Sequence, residues 1–271
     1  MFPDTATNFL YDNEKLSDYG MVLCSFDSGG LETVSAGNSL TFGTVKTGSS
    51  DKSYFGTAGY EEPLSATFQI CKYDYRYGNE SISAEELTSL LRWLARRDGF
   101  HRFQLYQKGY EGVYFYGSFN DIKLLKLGGV LYGLELTLVT DSPYGYENIS
   151  FDLTARASVG SSVFCLSNET GYIYPKVFTC KCLETGNLRL HNSVEDRVTE
   201  IKNCVKGEII SLDGNRKIIE SSSVTHKLYN DFNYNFFRLG SRYDDNLNII
   251  TASLPCEIHI EYESIRKVGL G

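Results

Sequence analysis

The sequence lacks a long apolar run and a leader-like start. No stretch approaches the ~20 consecutive apolar residues that span a bilayer, and the opening residues, Met1 to Thr5, do not form a basic segment followed by an apolar one. We therefore expect a soluble, unprocessed chain with no membrane partner.

Basic charge is also scarce. Lys and Arg number 26 against 34 Asp and Glu, a formal net charge of −8. Specific binding to nucleic acid needs clustered basic side chains that replace the counterions of the phosphates. The charge balance therefore argues against DNA as a direct ligand and favours protein neighbours.

The familiar catalytic motifs are missing. The chain contains no Walker loop, no H-E-x-x-H and no G-x-S-x-G. Asp27-Ser28-Gly29-Gly30 is similar to the nucleophile loop of chymotrypsin-like proteases, but the residue before it is Phe26 rather than Gly, and the first histidine, His101, follows the serine instead of preceding it. Acidic residues are abundant, yet no glycosidase pair can be chosen from sequence, because its spacing is three-dimensional. We predict no catalytic residues, no cofactor and no enzyme.

A zinc site is not indicated either. Cys180 and Cys182, with Cys204 and His191 nearby, have one residue between the first two thiols, whereas structural zinc sites use two to four. On a strand, Cys180 and Cys182 would share a face, which favours two small core residues. The seven cysteines are an odd number without a secretory signal, so we expect them to be reduced and buried. His226 and His259 are isolated in the sequence and are interpreted as structural, so no metal is predicted.

Composition and length favour two β domains. Aromatic residues make up 14% of the chain, and 25 glycines separate short apolar runs. A length of 271 residues suits two domains of ordinary size. The turn-forming segment Asp141 to Tyr146, which contains Pro143, is the best boundary. We predict domains at 1–146 and 147–271.

The first domain is predicted to begin with a β-hairpin between Phe9 and Phe26. Residues 27–63 are polar and rich in Gly, Ser and Thr, with scattered apolar residues such as Phe42 and Phe55. Such a segment is either disordered or a long arm that becomes ordered against a neighbouring subunit, and the β-branched and aromatic residues favour the arm.

One helix is predicted from Ser83 to about Arg97. Its leucines, at 87, 90, 91 and 94, have helical spacing, Ser83 and Glu86 form a capping box, and Gly99 is a plausible stop. We interpret Arg92, Arg96 and Arg97 as a solvated face with favourable charge at the helix end rather than an anion site.

The remaining segments alternate as strands do. Residues 64–70 and 130–138 each place apolar side chains on one face, and Gly128-Gly129 supplies a hairpin turn before the second. After residue 147 the chain contains short strands and no useful helical period, which indicates a β-sandwich. Two aromatic stretches, 73–77 and 232–237, could stack on sugars or bases, but core or interface packing is favoured.

Several fragments, in this order, resemble the distal tail (Dit) family of long-tailed phages and prophages. They are Phe9 to Gly20 with its D-Y-G end, Arg92-Trp93-Leu94 in the helix, Asp141-Ser142-Pro143-Tyr144 at the junction, Asn168-Glu169-Thr170-Gly171 with Tyr174-Pro175-Lys176-Val177, Leu239-Gly240 with Asn246 to Ile250, and Ile260-Glu261-Tyr262-Glu263. One segment departs from the family, because Thr47 to Asp51 stands where many relatives have a P-G-R-D-G-like stretch.

The resemblance implies a mainly β fold: a first domain of β-sandwich or split-barrel type with one helix and an extended arm, and a second domain that is a galectin-like β-sandwich. It implies a structural role at the virion tail tip, after synthesis in the bacterial host cytoplasm. The chain would form a hexameric ring, single or as two stacked rings, between the tail tube protein and the tail-associated tip, receptor-binding or baseplate proteins. Viral DNA would pass through the ring without specific binding.

Two other functions stay open. A galectin-like sandwich could bind carbohydrate as a lectin-like module, although galectins use a Trp in their constellation and the single tryptophan here, Trp93, is in the other domain. A tail-tip hydrolase would need a catalytic motif, and none is recognisable.

Overall fold

The computed structural model describes residues 5–26, 39–46, 48, 52–73, 81–156, 159–242 and 244–270. The chain divides into two compact units, Met1–Tyr146 together with Lys267–Gly271, and Glu147–Arg266. Leu270 is buried in the core of the first unit, and the hydroxyl of Tyr110 donates a hydrogen bond to the carbonyl of Gly269 at 2.7 Å. The end of the chain, assigned to the second domain from sequence, therefore packs in the first unit.

The first unit is built on an antiparallel sheet. Hydrogen bonds order its strands β3-β6-β9-β8-β7-β1-β2. A separate two-stranded ribbon is formed by β4 and β5. The strands are β1 (Phe9–Tyr11), β2 (Glu14–Lys15), β3 (Met21–Cys24), β4 (Leu40–Lys46), β5 (Ser53–Tyr60), β6 (Ser65–Lys72), β7 (His101–Leu105), β8 (Val113–Leu127) and β9 (Val130–Thr140).

Two tight turns set the register of this sheet. Asp12 and Asn13 have φ angles of 49° and 68°, and Gly128 and Gly129 have 58° and 85°. Two successive positive φ values are typical of the type I′ turn, whose twist matches that of the flanking strands. The glycine turn is confirmed, and so is the first turn at Asp12 and Asn13. The returning strand of the opening hairpin was misplaced, because Glu14–Lys15 pairs with β1, whereas Met21–Cys24 pairs with β6. A 3₁₀ helix, Leu16–Tyr19, then leads from β2 to β3.

The helix α1 covers Ala84–Leu94 and begins as predicted. The Ser83 hydroxyl accepts from the Glu86 amide at 3.3 Å, and the Ser83 amide donates to the Glu86 carboxylate at 2.7 Å. The end was predicted too late, because α1 stops at Leu94. At this end, the buried Trp93 indole donates to the carbonyl of Tyr11 at 3.0 Å and stacks on Tyr19.

The second unit is a β-sandwich of two antiparallel sheets. One has the order β17-β16-β13-β20-β10 and the other β11-β19-β14-β15, while β12 pairs with β18. Its elements are β10 (Gly145–Ala155), β11 (Ser161–Phe164), β12 (Gly171–Ile173), β13 (Val177–Cys182), β14 (Gly186–Asn192), β15 (Val198–Cys204), β16 (Ile209–Asp213), β17 (Ile218–Ser221), the one-turn helix α2 (Leu228–Asp231), β18 (Leu239–Ser241), β19 (Leu247–Ala252) and β20 (Cys256–Arg266).

Alternate side chains along the strands fill the core of the sandwich. Along β20, Ile258, Ile260 and Tyr262 are buried, and along β13 the buried residues are Phe178, Cys180 and Cys182. The prediction that the two cysteines share a buried face is confirmed. The mainly β fold class, with a helix-bearing first domain and a second β-sandwich, is confirmed as well. Among the described residues, no helix has the length and apolar character needed to cross a membrane.

The capping box should stabilise the first unit measurably. Replacing Ser83 by Ala leaves the Glu86 amide without its acceptor, and we expect a loss of about 1 kcal/mol in the free energy of unfolding. Fluorescence of Trp93, the single tryptophan, reports on this unit during urea unfolding. Ser89→Ala, on the exposed side of α1, is the control. Equal stability of the two variants would contradict the capping role.

Candidate assembly surface

The ribbon β4–β5 is the part of the first unit that lies outside its core. Within the described part of the chain it pairs with no other strand, and the side chains of residues 40–46 and 53–59 are exposed. The register places Leu40 opposite Tyr60, Phe42 opposite Ala58 and Thr44 opposite Phe55. The segment predicted as an arm is therefore an extended hairpin over these residues. Residues 27–38 lie outside the described residues.

One face of the hairpin is apolar. Side chains alternate across a strand, and a register shift between Gly43 and Thr44 brings Phe55 opposite Thr44, so Leu40, Phe42, Phe55 and Tyr60 share one side of the ribbon. The rings of Phe42 and Phe55 lie 6.2 Å apart in an edge-on arrangement, although the two side chains remain 59% and 70% exposed. Each of them would gain about 1.5–3 kcal/mol if it were fully buried.

The base of the hairpin is held by the first unit. The amide of Glu61 donates to the carbonyl of Ser39 at 3.0 Å, and the Tyr60 ring lies edge-on to Tyr144, with centroids 6.0 Å apart. The ammonium of Lys267 sits 5.8 Å from the centroid of the Tyr60 ring. The hairpin is thus anchored at Tyr60 and carries its exposed aromatic side chains beyond that anchor.

The tip of the β8–β9 hairpin is a second exposed apolar surface. Leu124, Leu127 and Val130 are exposed around the glycine turn, Leu127 by 76%. Upstream in β8, Phe115 and Phe119 are buried in the core. The second half of β8 therefore leaves the core and presents leucines to the outside.

The residues considered for catalysis or metal binding lie elsewhere. Asp27 to Gly30 lie outside the described residues. Cys180, Cys182 and Cys204 are buried in the second unit, and His191 is on β14 of its other sheet. Within the described ranges, no group of three or more His, Cys, Asp or Glu side chains is arranged to hold a metal ion.

Arg96 has a different role from the one predicted. It lies beyond the helix and binds Asp98 at 2.6 Å and Asp12 in the hairpin turn, so it is not simply solvated at a helix end. Hydrogen bonds from Arg96 and then His101 hold the pKa of Asp98 well below its usual range. This pairing ties the first hairpin to the segment after α1, and sequence spacing gives no signal for it.

His226 is buried in contact with the carboxylate of Glu208. Its Nδ1 lies 2.5 Å from Glu208 Oε1, and its Nε2 lies 2.9 Å from the carbonyl of Lys202. Burial acts to raise the pKa of Glu208, but hydrogen bonds from Ser221 and His226 outweigh it, and the pKa lies below its ordinary value. The pair fastens the segment around His226 to the start of β16.

His259 is also paired, on the outer face of the sandwich. Its Nδ1 lies 2.8 Å from Asp152 and its Nε2 lies 3.0 Å from Glu261. Hydrogen bonds to Glu261 and then Asp152 raise the pKa of His259 above 6.5. His226 and His259, which stand alone in the sequence, thus have partners in the fold, and both contacts join neighbouring segments of the second unit.

The aromatic stretch at 232–237 packs in the core, as favoured from sequence. Phe232, Phe236 and Phe237 are buried, while Tyr234 is exposed. Of the other stretch, Tyr73 is exposed and the residues after it lie outside the described residues.

The Glu208–His226 pair should stabilise the second unit. Glu208→Gln removes the buried carboxylate that is hydrogen-bonded with Ser221 and His226, and we expect a loss of about 2–4 kcal/mol at neutral pH. Because the folded pKa of Glu208 is depressed, this contribution is present above 4.5 and is lost as the pH falls through the folded pKa. Scanning calorimetry at neutral and acidic pH measures it. The exposed Glu220→Gln is the control, and an equal effect of the two changes would contradict the assignment.

The His259 contacts predict the opposite pH dependence. A raised pKa means that the stabilisation is fully present below 6.5 and is lost as the pH rises through the folded pKa. We expect His259→Gln to remove this alkaline loss of melting temperature, measured by calorimetry, while His191→Gln retains it. The effect is small because the side chain is 33% exposed. An unchanged pH profile in His259→Gln would contradict the prediction.

Both halves of the chain match known protein families. Residues 5–142 match the family described as phage tail protein N-terminal domain, and residues 144–262 match the family described as phage tail C-terminal domain. No curated protein matches the sequence.

Solved structures are similar over most of the chain. The crystal structure of the Dit protein of phage SPP1, described as a paradigm of the hub adsorption apparatus in phages that infect Gram-positive bacteria, has a TM-score of 0.66 at 11% identity and covers 96% of this chain and 99% of that chain. The baseplate of phage P2 in its activated conformation with Ca has a TM-score of 0.47 at 8% identity, over 95% and 98% of the two chains. The chain has the fold of SPP1 Dit, which confirms the resemblance to distal tail proteins. It belongs to the phage tail protein family and is a virion component.

Proposed function

We propose that this chain is a non-enzymatic hub that forms a hexameric ring at the tail tip. Residues 1–146 would form the ring and continue the tail tube, and residues 147–271 would face outward as a platform. The observation that carries the proposal is the anchored hairpin β4–β5 with its exposed apolar face.

A hairpin of this kind is not stable by itself. Two-stranded ribbons are marginal in water, and monomeric proteins rarely expose contiguous apolar patches. The hairpin also offers the unpaired backbone groups of two strand edges, which a neighbouring sheet can extend. A second copy of the first domain would cover the apolar face and complete the edge at the same time.

A ring follows from this kind of contact. The hairpin of one subunit would touch a surface on the next that is not the hairpin itself, so the interface is heterologous and closes only by rotation. A hexamer is the closure that the family resemblance implies, as one ring or two stacked rings. The exposed tip of β8–β9, with Leu124 and Leu127, would serve contacts along the tube axis to the tail tube protein or the tail-associated tip protein.

The charge of the chain suits a channel for DNA. A net charge of −8 would let phosphates pass through the lumen without being held. No specific contact to viral DNA is proposed.

The second domain is better suited to docking than to sugar binding. A galectin site needs a tryptophan, but the single tryptophan of this chain, Trp93, is buried in the first unit. On the outer face of β10, β13 and β20, the polar side chains are paired with one another, as His259 with Asp152 and Glu261, and Lys181 with Glu257 at 2.9 Å. We therefore propose receptor-binding or baseplate proteins as its partners.

Disrupting the apolar face of the hairpin tests the ring. We expect native mass spectrometry of the wild-type chain to give a six-fold multiple of 30.5 kDa. Phe42→Ser with Phe55→Ser removes the side chains that would be buried between copies, so this variant should be monomeric. Phe164→Ser, which changes an exposed Phe of the second unit, is the control and should assemble normally.

Two other results would contradict the proposal. Full assembly of the double variant would show that the hairpin does not carry the interface. A wild-type monomer that binds a glycan array would favour the lectin-like alternative.

A further inference from the structure

Cationic and aromatic side chains from four separate segments meet on the surface of the second unit. They are Tyr172, Tyr174, Arg197, Lys217 and Arg238, and we call these five residues the basic aromatic patch. Tyr172 is 47% exposed and Lys217 is exposed, while the other three side chains are half-buried. The patch is therefore accessible from solvent, and only the fold brings its members together.

The pairing of β12 with β18 builds one side of the patch. Tyr172 on β12 is opposite Gly240 on β18, two residues after Arg238. The Arg238 guanidinium lies over the Tyr172 ring, with its central carbon 3.7 Å from the ring centroid, and its Nε donates to the Glu195 carboxylate at 2.6 Å. Arg238 is thus held between a ring and a carboxylate that balances its charge.

The turn between β16 and β17 places Lys217 on Tyr174. The Lys217 ammonium lies over the Tyr174 ring, 3.9 Å from its centroid, and 5.1 Å from the centroid of Phe236. A Cβ at Gly214 would overlap the Tyr174 ring, so the ring packs directly on the backbone of this turn. Lys217 has a φ angle of 60°, which is uncommon for a residue other than glycine. The turn therefore holds the ammonium over the ring at a cost in backbone energy.

Arg197, the residue before β15, completes the patch. One of its terminal nitrogens donates to Asn235 Oδ1 at 3.3 Å, and Asn235 adjoins Phe236, the ring that Lys217 also approaches. In keeping with this placement, hydrogen bonds from Arg197 and then Lys217 lower the pKa of the Tyr174 hydroxyl, although burial acts to raise it. The two cations thus lie on the same part of the surface.

Two of the three cations in the patch have no carboxylate partner. Among the described residues, neither Lys217 nor Arg197 forms an ion pair, whereas Arg238 is balanced by its carboxylate. The carboxylate of the turn itself, Asp213, is paired with Arg216. The patch is therefore locally positive, although the net charge of the chain is −8.

We propose that the basic aromatic patch is the docking site for an acidic segment of a partner protein, with Lys217 and Arg197 binding its carboxylates. The inference rests on the proposed role of the second unit as a platform and names one surface of it. Carboxylates complement two fixed cations that lack partners, and Arg and Tyr are enriched among the residues that dominate binding energy at protein interfaces. Because the cations are positioned before binding, less ordering is required when the partner docks.

A single-stranded nucleic acid would need a different arrangement of the same side chains. Proteins that bind such strands stack the bases on exposed aromatic faces. Here a guanidinium already covers a face of Tyr172, and an ammonium covers a face of Tyr174. These faces are closed to bases, which favours carboxylates as the ligand.

Fluorescence anisotropy of a labelled hexaglutamate peptide tests the site on the full chain. We expect saturable binding that weakens as salt is added. Lys217→Asn with Arg197→Gln should lose about tenfold in affinity, because two exposed charge pairs are removed. Asparagine tolerates the left-handed φ at position 217. Lys202→Gln with Lys206→Gln removes the same charge from exposed positions of the same unit and should bind as the wild type does.

Melting temperatures check that both double variants fold. Arg197→Gln alone leaves the turn untouched, so it should show a smaller loss of affinity without any change in Lys217. Equal losses in the two double variants, or no binding by the wild type, would overturn the docking site. A hexathymidylate oligonucleotide that binds more tightly than the peptide, and whose binding is lost in Lys217→Asn with Arg197→Gln, would identify a nucleic-acid site instead and would also overturn it.

Failure of this site is distinguishable from failure of the ring. Native mass spectrometry should give the same assembly for the wild type and both double variants, because the patch lies in the second unit. A ring that does not bind the peptide would overturn the docking site and leave the hub proposal intact. Peptide binding by a wild-type monomer, lost in Lys217→Asn with Arg197→Gln, would support the site although the ring had failed.

Discussion

The apolar face of the β4–β5 hairpin is the constraint on which this account of the protein depends. Leu40, Phe42 and Phe55 point away from a core that is complete without them. Water tolerates a few such side chains singly, but a ribbon that is anchored at Tyr60 and carries several of them favours a neighbour that covers them. The first unit is therefore a folded body with one exposed element, which in the proposed ring would be covered by another chain.

The second unit differs from the first, because the polar contacts described above join residues of the same unit. The buried Glu208–His226 pair and the outer His259 pairs each join residues of the same sandwich. Groups that hold each other in this way favour a rigid unit. Rigidity is what a docking platform requires, since binding then costs little additional ordering.

Local patterns explain what could be predicted from sequence. Alternation placed Ile258, Ile260 and Tyr262 in the core, and the capping box fixed the start of α1. The end of α1 was misplaced because Gly99 is a weaker signal than the pairing of Arg96 with Asp12, a residue that is distant in the chain. Glu208 and His226 were missed for the same reason, since only the fold brings them together. The arm could be anticipated from composition, but its register could not.

Electron cryo-microscopy of tails that contain this chain tests the central claim most directly. The account predicts a closed ring of six copies in which the β4–β5 hairpin of each subunit lies against the first domain of the next, with Phe42 and Phe55 buried. A particle in which the chain is present as a separate monomer, or in which the hairpin stays in solvent, would contradict it.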